Sequence, residues 1–231
     1  SEIVLSPMIN NLAGFVASTV MLGSEGGVCN LVSNVDGAGN IITPTADTFL
    51  QANALLDIFS ADQMSRRVVN DPITDARTTS SLQGLLNPTP EISAQYRTGM
   101  MKSGLGYEKW FRDQTVIKHT SGTYDSLGTV NGADQSGTAV LVNAITGTLK
   151  KGDIVTFELV NAVNRVNKRT LGTLRQFVVL EDVANGGTEV SIYPALTPAV
   201  GGAAVQYQTV TQSPANGALM VMATKSGEIY R

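Results

Sequence analysis

The residue pattern changes near residue 120, and this change constrains the fold more than any other feature of the chain. Before it, apolar residues recur at three- and four-residue spacing, which is the period of an α-helix. After it, short runs of Val, Ile, Thr and aromatic residues alternate with Gly, Asn, Asp and Pro, which is typical of short β-strands. The sequence therefore predicts an α+β protein, with helices mixed with single strands in its first half and strands in its second half.

The first half is predicted to contain several helices. An apolar stripe from Val4 to Val16 predicts an amphipathic or buried helix that ends near Gly23, where glycines cluster. A second helix should begin after Thr45, whose hydroxyl is a suitable N-cap. The other elements predicted here are a strand at 66–70, a helix over 73–85 and a helix beginning at Glu91.

The second half predicts a small antiparallel barrel or sandwich of six or seven strands. The segment 185–187, Asn-Gly-Gly, is a strong hairpin signal, and the segment 150–153, Lys-Lys-Gly-Asp, predicts a turn that feeds a strand. Residues 161–172 are predicted to form a long loop. The predicted strands are 116–118, 139–143, 154–160, 176–180, 189–193, 205–210 and 219–224.

Composition argues against several classes of function. Charged residues make up only 15% of the chain and the net charge is -3, so the chain lacks the basic surface that nucleic-acid-binding domains usually carry. A surface with so few charges suits a subunit that neighbours cover. The single cysteine, Cys29, excludes an intramolecular disulfide and is interpreted as a small filler residue. The residues show no phosphate-binding glycine motif and no metal-ligand pattern, so no cofactor and no metal is expected.

The only histidine, His119, offers two interpretations. It could act as the general base of a hydrolase, but that role needs partners which the sequence does not identify. Its position at a strand end favours a boundary histidine that is bonded to backbone or solvent. We therefore predict that the protein is not an enzyme.

Six basic residues of the second half form the most distinctive charge pattern. Three of them, Arg165, Lys168 and Arg169, lie on the predicted loop 161–172. In order of preference, this loop is interpreted as a solvated loop, as a contact with an acidic patch on a neighbouring subunit, or as a binding surface for nucleic acid or glycan. Binding of nucleic acid or glycan would require stacking aromatic residues beside the charges, and the loop has none. These three residues are the candidate subunit-contact site, and the other three basic residues are Lys150, Lys151 and Arg175.

Several segments, in a fixed order, carry a resemblance to a known family. They are Arg-Arg-Val-Val-Asn-Asp-Pro at 66–72, Leu-Gln-Gly-Leu-Leu-Asn-Pro at 82–88, Gly-Leu-Gly and the following aromatic residues at 104–111, Thr-Val-Ile-Lys-His-Thr-Ser-Gly-Thr at 115–123, Gly-Thr-Leu-Lys-Lys-Gly-Asp-Ile-Val-Thr-Phe at 147–157 and Gln-Phe-Val-Val at 176–179. Together they resemble the major capsid (coat) proteins of tailed bacteriophages, of the type found in short-tailed Salmonella phages.

The resemblance implies a structural subunit of the icosahedral shell around double-stranded DNA. It implies a capsid-type core fragment over 1–118, with part of the peripheral domain and the axial domain, then an inserted β-barrel over 119–215 and a return toward the core over 216–231. The implied partners are copies of the chain in capsomers, scaffolding and portal proteins, and packaged DNA that is contacted without sequence specificity. The implied location is the virion capsid, assembled in the bacterial cytoplasm, with no membrane contact.

Two departures from the family pattern concern inter-subunit contacts. The family's proteins extend further at both ends, and this chain begins with Ser1 and ends at Arg231, so we expect a fragment or a processed product. The family's barrel also carries a long loop that bridges capsomers. The matching residues 125–136 contain two acids, Asp125 and Asp134, and no base.

Overall fold

The computed structural model describes residues 2–82, 98–101 and 103–230, and within these ranges it has a helical first half and a β-rich second half. The helices are α1 (Glu2–Ser24), a short 3-10 helix η1 (Glu25–Gly27), α2 (Ala46–Ile58) and α3 (Pro72–Ser81). The strands of the first half are β1 (Asn34–Val35), β2 (Ile41–Ile42), β3 (Arg67–Asn70) and β4 (Lys109–Arg112). Those of the second half are β5 (His119–Thr120), β6 (Gly137–Leu141), β7 (Ile154–Val163), β8 (Thr170–Val179), β9 (Glu189–Leu196), β10 (Met220–Met222) and β11 (Ile229–Tyr230).

Local sequence explains where α2 and α3 begin. Thr45 and Thr48 form a capping box, in which each side chain bonds to the backbone of the other residue. Asp71 caps α3 by accepting a hydrogen bond from the backbone N–H of Thr74 at 3.3 Å, and Pro72 occupies the first turn, where its missing N–H costs nothing. Both predicted helix starts are therefore confirmed.

A small aromatic core holds the first half together. Strands β3 and β4 pair in parallel, and Val68 and Trp110 lie opposite each other in this pair. The Trp110 ring is buried and packs edge-on against Phe49 of α2, with centroids 4.8 Å apart, and against Tyr107 at 5.6 Å. Such aromatic pairs add to the free energy gained by burial, so α2 is fixed against the β3–β4 pair.

The second half is built on a five-stranded sheet in the order β10-β7-β8-β9-β6, and all of its pairs are antiparallel. Residues 128–131 bridge the two edges of this sheet. The Val130 N–H donates to Ala218 O at 2.9 Å, beside β10, and the Asn131 N–H donates to Leu141 O at 2.9 Å, on β6. Backbone hydrogen bonds therefore continue from one edge strand to the other around a core in which Phe157 and Phe177 are completely buried.

Several strand predictions were wrong in position. Residues 116–118 are not a strand, because the Thr115 N–H turns back to the Asp113 carboxylate at 2.8 Å and pairing starts only at β5. Residues 205–210 are not a strand either, since the Gln208 N–H closes a turn onto Val205 O at 3.1 Å. The sheet consequently has five strands, whereas six or seven were predicted for the barrel.

The predicted loop 161–172 is shorter in the structure, because pairing between β7 and β8 continues past a bulge to Val163 and Thr170. Ala162 and Val163 are buried in that extension. The connection therefore covers only residues 164–169, and the segment is the tip of a long hairpin rather than a free loop.

The helix predictions were correct in type and partly wrong in packing. Helix α1 ends at Ser24, close to the predicted end at Gly23. Its apolar face, however, is exposed: Met8, Leu12 and Phe15 expose 63, 64 and 69% of their surface. Periodicity sets which residues share a face, but burial requires an opposing surface, and the described part of the chain places none over this face. The helix predicted over 73–85 ends at Ser81, with residues 83–85 outside the described ranges, as is the predicted helix start at Glu91.

Candidate subunit-contact site and its junction with the first half

The tip of the β7–β8 hairpin is a turn organised by one asparagine. The Asn164 side-chain oxygen accepts the N–H groups of Val166 at 2.8 Å and Asn167 at 3.2 Å. The Lys168 N–H donates to Asn164 O at 3.0 Å, and Lys168 has a φ of 58°. Asparagine favours such turns because its side chain bonds to backbone groups two residues ahead, so the tip has a defined shape.

This defined tip presents the candidate contact residues to solvent. Arg165 and Arg169 are exposed and Lys168 is half-buried, while the intervening Val166 exposes 81% of its surface. Among the described residues, no hydrogen bond or ion pair involves the side chains of these three basic residues. The structure thus places the three predicted residues in one turn, together with an exposed apolar residue.

The remaining basic residues lie elsewhere. Lys150 and Lys151 are exposed in the turn before β7, at the opposite end of that strand from the tip, which places them about 30 Å away at 3.3 Å per residue. Arg175 lies inside the hairpin, with its guanidinium 4.9 Å from the centre of the Phe59 ring. Burial lowers the pKa of Arg175, and its guanidinium donates to the Cys29 sulfur at 3.6 Å. The six residues therefore do not form one surface.

The first half of the chain docks along the outside of this hairpin. Gln176 of β8 bonds to Leu31 through both side-chain polar atoms, at 2.7 and 3.1 Å. Near the tip, the Asn164 side-chain N–H donates to the Ser60 hydroxyl at 3.2 Å, just past the end of α2. The tip is therefore supported by the first half of the chain, and its orientation depends on that contact.

At the other end of the hairpin, His119 joins both halves. Its Nδ1 lies 2.8 Å from Glu25 Oε1 on η1, and its Nε2 lies 2.8 Å from Asp153 Oδ1 in the turn before β7. The hydrogen bond with Asp153 raises the pKa of His119 above its ordinary value, and the bond with Glu25 raises it further, against the opposing effect of burial. The expectation of a histidine bonded to backbone or solvent was wrong, since two carboxylates distant in sequence converge on the ring.

Asp153 is the buried centre of this arrangement. Its side chain is completely buried, and its Oδ2 accepts the N–H groups of Lys150 at 2.7 Å and Gly122 at 3.0 Å. A buried carboxylate is stable when donors satisfy its oxygens in this way. The Lys-Lys-Gly-Asp segment was predicted only as a turn, and the structure shows that its aspartate also anchors β5.

The loop at 125–136 is folded back on itself. The Gln135 side chain donates to the carbonyl oxygens of Asn131, Gly132 and Leu141 and accepts the Leu141 N–H at 2.6 Å. Leu127 nevertheless exposes 75% of its surface. One glutamine therefore closes the loop against β6 and leaves an apolar residue on its outside.

Within residues 2–82, 98–101 and 103–230, no helix combines the length and the apolar character that crossing a membrane requires. No cluster of three or more His, Cys, Asp or Glu residues in that part of the chain is arranged to hold a metal ion.

The junction residues Glu25, Asp153 and Gln176 were missed by sequence reasoning. Asp153 and Gln176 lie in segments that the sequence singled out for other reasons, and each of the three residues becomes informative only through a partner that lies 31 to 145 positions away. One signal that could have been used is Gly152, which directly precedes Asp153, the partner of His119. A glycine has no Cβ, so other side chains can approach its backbone closely. A Cβ there would lie 2.5 Å from Glu25 Oε1.

Comparison with known proteins connects the second half to a family. Residues 115–229, just under half of the chain, match the family model described as P22 coat protein, gene protein 5. Among solved structures, the CUS-3 coat protein I-domain is similar at 26% identity, over 47% of this chain and 96% of that one, with a TM-score of 0.30. None of the curated proteins compared with the chain matches it.

The family match covers the hairpin tip, His119, the turn at 150–153 and the whole five-stranded sheet. A phage coat protein is a structural component of the virion capsid that associates with copies of itself. Residues 115–229 are similar to the P22 coat protein family, and this similarity supports a structural role as a phage coat protein.

Proposed function

We propose that the chain is a piece of a major capsid subunit that assembles into the icosahedral shell of a tailed double-stranded-DNA phage. The single observation that carries the proposal is the family match over residues 115–229. In this proposal, residues 1–118 are the capsid core piece, residues 119–215 are an inserted β-barrel of the Salmonella short-tailed-phage type, and residues 216–231 return to the core. Assembly takes place in the bacterial cytoplasm.

The sheet topology supports the proposed barrel. Residues 128–131 hydrogen-bond beside β10 and on β6, so they link the two edge strands of the sheet. Linking the edges leaves few unpaired backbone groups to template aggregation. A stable barrel of this kind would fix the direction in which the hairpin tip projects from the shell subunit.

The proposed subunit contact is the hairpin tip with Arg165, Lys168 and Arg169. These residues lie in the same short turn as the exposed Val166, so a partner surface would combine acidic groups with an apolar patch. Electrostatic contacts of this type fix the partner's register and weaken at high salt. Each contact can be weak, because a closed shell multiplies it many times. Scaffolding and portal proteins are further proposed partners, and packaged DNA is contacted without sequence specificity.

Electron microscopy of the full-length parent protein, expressed with the neighbouring phage genes, tests the assembly proposal. We expect uniform closed shells. Soluble monomers under every condition would contradict it. Steeply salt-dependent DNA binding by those monomers would instead favour a binding module that uses the basic tip.

The contact site is tested by paired charge variants in the same parent. Arg165→Gln with Arg169→Gln removes two charges from the tip, and Lys150→Gln with Lys151→Gln removes two exposed charges from the opposite end of β7. We expect the tip variant to reduce shell yield and the control variant to assemble normally. Equal yields from both variants would exclude the tip as a subunit contact.

A further inference from the structure

The histidine contacts define a joint between the two halves of the chain, made of Glu25, His119 and Asp153. Both ring nitrogens of His119 lie 2.8 Å from a carboxylate oxygen. A neutral imidazole carries one N–H and can donate to one acceptor, whereas an imidazolium donates from both nitrogens. The geometry of the joint therefore fits the protonated ring.

The two carboxylates differ in how firmly they are held. The Asp153 oxygens also accept the N–H groups of Lys150 and Gly122, and this side chain is completely buried. Glu25 is more accessible, with 22% of its side chain exposed. When the ring loses its second proton, the Nδ1 lone pair faces a Glu25 oxygen and repels it. The Glu25 contact is therefore the one that opens.

Opening at Glu25 affects a defined segment. Glu25 lies in η1, directly before the residues 28–33 that dock against β8 through Leu31. Gly26 of η1 also lies close to the end of β8, since a Cβ at that position would be 3.3 Å from the Leu180 side chain. The joint is thus one end of the attachment between the first half of the chain and the sheet.

Other charged groups lie on the elements that pack around His119. Two lysines lie in the turn before β7 and one directly precedes His119, while two acids lie near that turn and near β11. The Lys151 side chain lies near Gly26, and the Lys151 backbone N–H donates to the Asp182 carboxylate at 2.8 Å. These groups are Lys118, Lys150, Lys151, Asp182 and Glu228.

We propose that Glu25, His119 and Asp153 form a proton-dependent joint, which holds η1 and the adjoining residues 28–29 against the sheet while His119 is protonated and releases them when it is not, with Leu31 still held by Gln176. The hydrogen bonds hold the pKa of His119 above its usual 6.5. A raised pKa means that the attachment is complete below pH 6.5 and is lost as the pH rises through the pKa of the folded protein. The proposal concerns this chain alone and does not depend on the capsid role.

Two unique residues make the joint measurable in the full 231-residue chain. The single cysteine, Cys29, lies in the segment that would be released, and the single histidine gives one imidazole signal. The rate of Cys29 alkylation in the folded chain, divided by the rate in the urea-unfolded chain at the same pH, gives its protection without the intrinsic pH dependence of the thiol. We expect protection to fall as the pH rises above 6.5 toward the pKa of the folded protein, by at most about tenfold for each pH unit.

Glu25→Gln is the decisive variant, because a glutamine amide can accept from the imidazolium and can donate to the neutral ring. We expect its Cys29 protection to become independent of pH and the NMR titration midpoint of His119 to fall toward 6.5. The control is Glu189→Gln, an equal charge change at an exposed site on β9, which should leave both measurements as in the wild type.

Three outcomes would overturn the proposal. They are a wild-type His119 midpoint at or below 6.5, Cys29 protection that does not change with pH, and the same loss of pH dependence in the Glu189→Gln control. His119→Gln provides a second check by circular dichroism and alkylation together. If this variant folds, its Cys29 protection should not vary with pH. If it does not fold, the Glu25→Gln result and the wild-type His119 titration midpoint still test the proposal.

Discussion

The side-chain amide of Gln176 bonds to Leu31 as a neighbouring strand would. Its Oε1 accepts the Leu31 N–H at 2.7 Å, and its Nε2 donates to the Leu31 carbonyl oxygen at 3.1 Å. Both backbone groups of Leu31 are thereby satisfied by one side chain, although residues 28–33 belong to no strand. This contact fixes the segment between α1 and β1 against the outer face of β8.

Replacing Gln176 with alanine should therefore loosen this segment. We expect Gln176→Ala to lower the free energy of unfolding by about 1–2 kcal/mol, because two partly buried hydrogen bonds are lost. Urea unfolding followed by circular dichroism measures the change. Gln212→Ala, at an exposed position, is the matched control and should have little effect. Equal losses in the two variants would show that the amide contact with Leu31 contributes nothing specific.

The aromatic pair in the second half should dominate its stability. Phe157 and Phe177 are completely buried, with ring centroids 5.6 Å apart. Truncation of either ring to alanine should cost roughly 3–5 kcal/mol through lost burial and a residual cavity. Thermal unfolding provides the measurement, with Phe15→Ala on the exposed face of α1 as control. An unchanged melting temperature in either core variant would contradict this placement.

Alanine substitutions at two glycines can distinguish the cost of backbone strain from the cost of close packing. Gly152 and Gly186 have positive φ angles of 98° and 84°, so an alanine at either position costs about 1 kcal/mol or more for the backbone conformation. They differ in their surroundings, since a Cβ on Gly152 would lie 2.5 Å from Glu25 Oε1 whereas one on Gly186 meets open space.

We therefore expect Gly152→Ala to destabilise the protein more than Gly186→Ala, with the excess arising from displacement of the Glu25 side chain and of the His119 ring, whose Cε1 would lie 2.9 Å from the added Cβ. Urea unfolding of both variants measures the two costs. In a Glu25→Ala background, Gly152→Ala should cost less than it does in the wild type, because the contact with Glu25 is gone and only the one with His119 Cε1 is left. If Gly152→Ala costs no more than Gly186→Ala, the close approach of Glu25 is not present in solution.

Tyr124 should make the protein sensitive to strongly alkaline conditions. Its hydroxyl donates to Met220 O at 2.7 Å and accepts the Gly128 N–H at 2.8 Å, and burial raises its pKa to about 12. Because the pKa is raised, the stabilising contribution is complete below pH 10 and is lost as the pH rises from 10 toward 12. The loss should be on the order of 2–3 kcal/mol.

Unfolding free energies measured across this pH range, for the wild type and for Tyr124→Phe, test the prediction. Phenylalanine cannot ionise, so the variant should be less stable at neutral pH because Gly128 and Met220 lose their partner, and it should show a shallower decline above pH 10. Tyr207→Phe, at a position that exposes 77% of its surface, serves as control. Parallel pH curves for the wild type and Tyr124→Phe would assign the alkaline loss to other groups.

Sequence patterns predicted the elements whose causes are local. The cap at Thr45, the end of α1 near Gly23 and the turn before β7 all follow from a few neighbouring residues. The three basic residues of the candidate contact site lie in the short connection between β7 and β8, and their role as a subunit contact stays a prediction. Predictions failed at residues 116–118 and 205–210, because β-propensity alone does not supply a strand with a pairing partner.

The sequence by itself determined the division near residue 120 into helical and β-rich halves, because that division rests on periodicity and turn residues. Only the tertiary structure decided which surfaces were covered and which polar groups met. It left the apolar face of α1 exposed within the described chain and placed Glu25 and Asp153 on either side of His119. The physical reason is that burial and ion pairing depend on distances between residues far apart in the chain, and no local pattern encodes those distances.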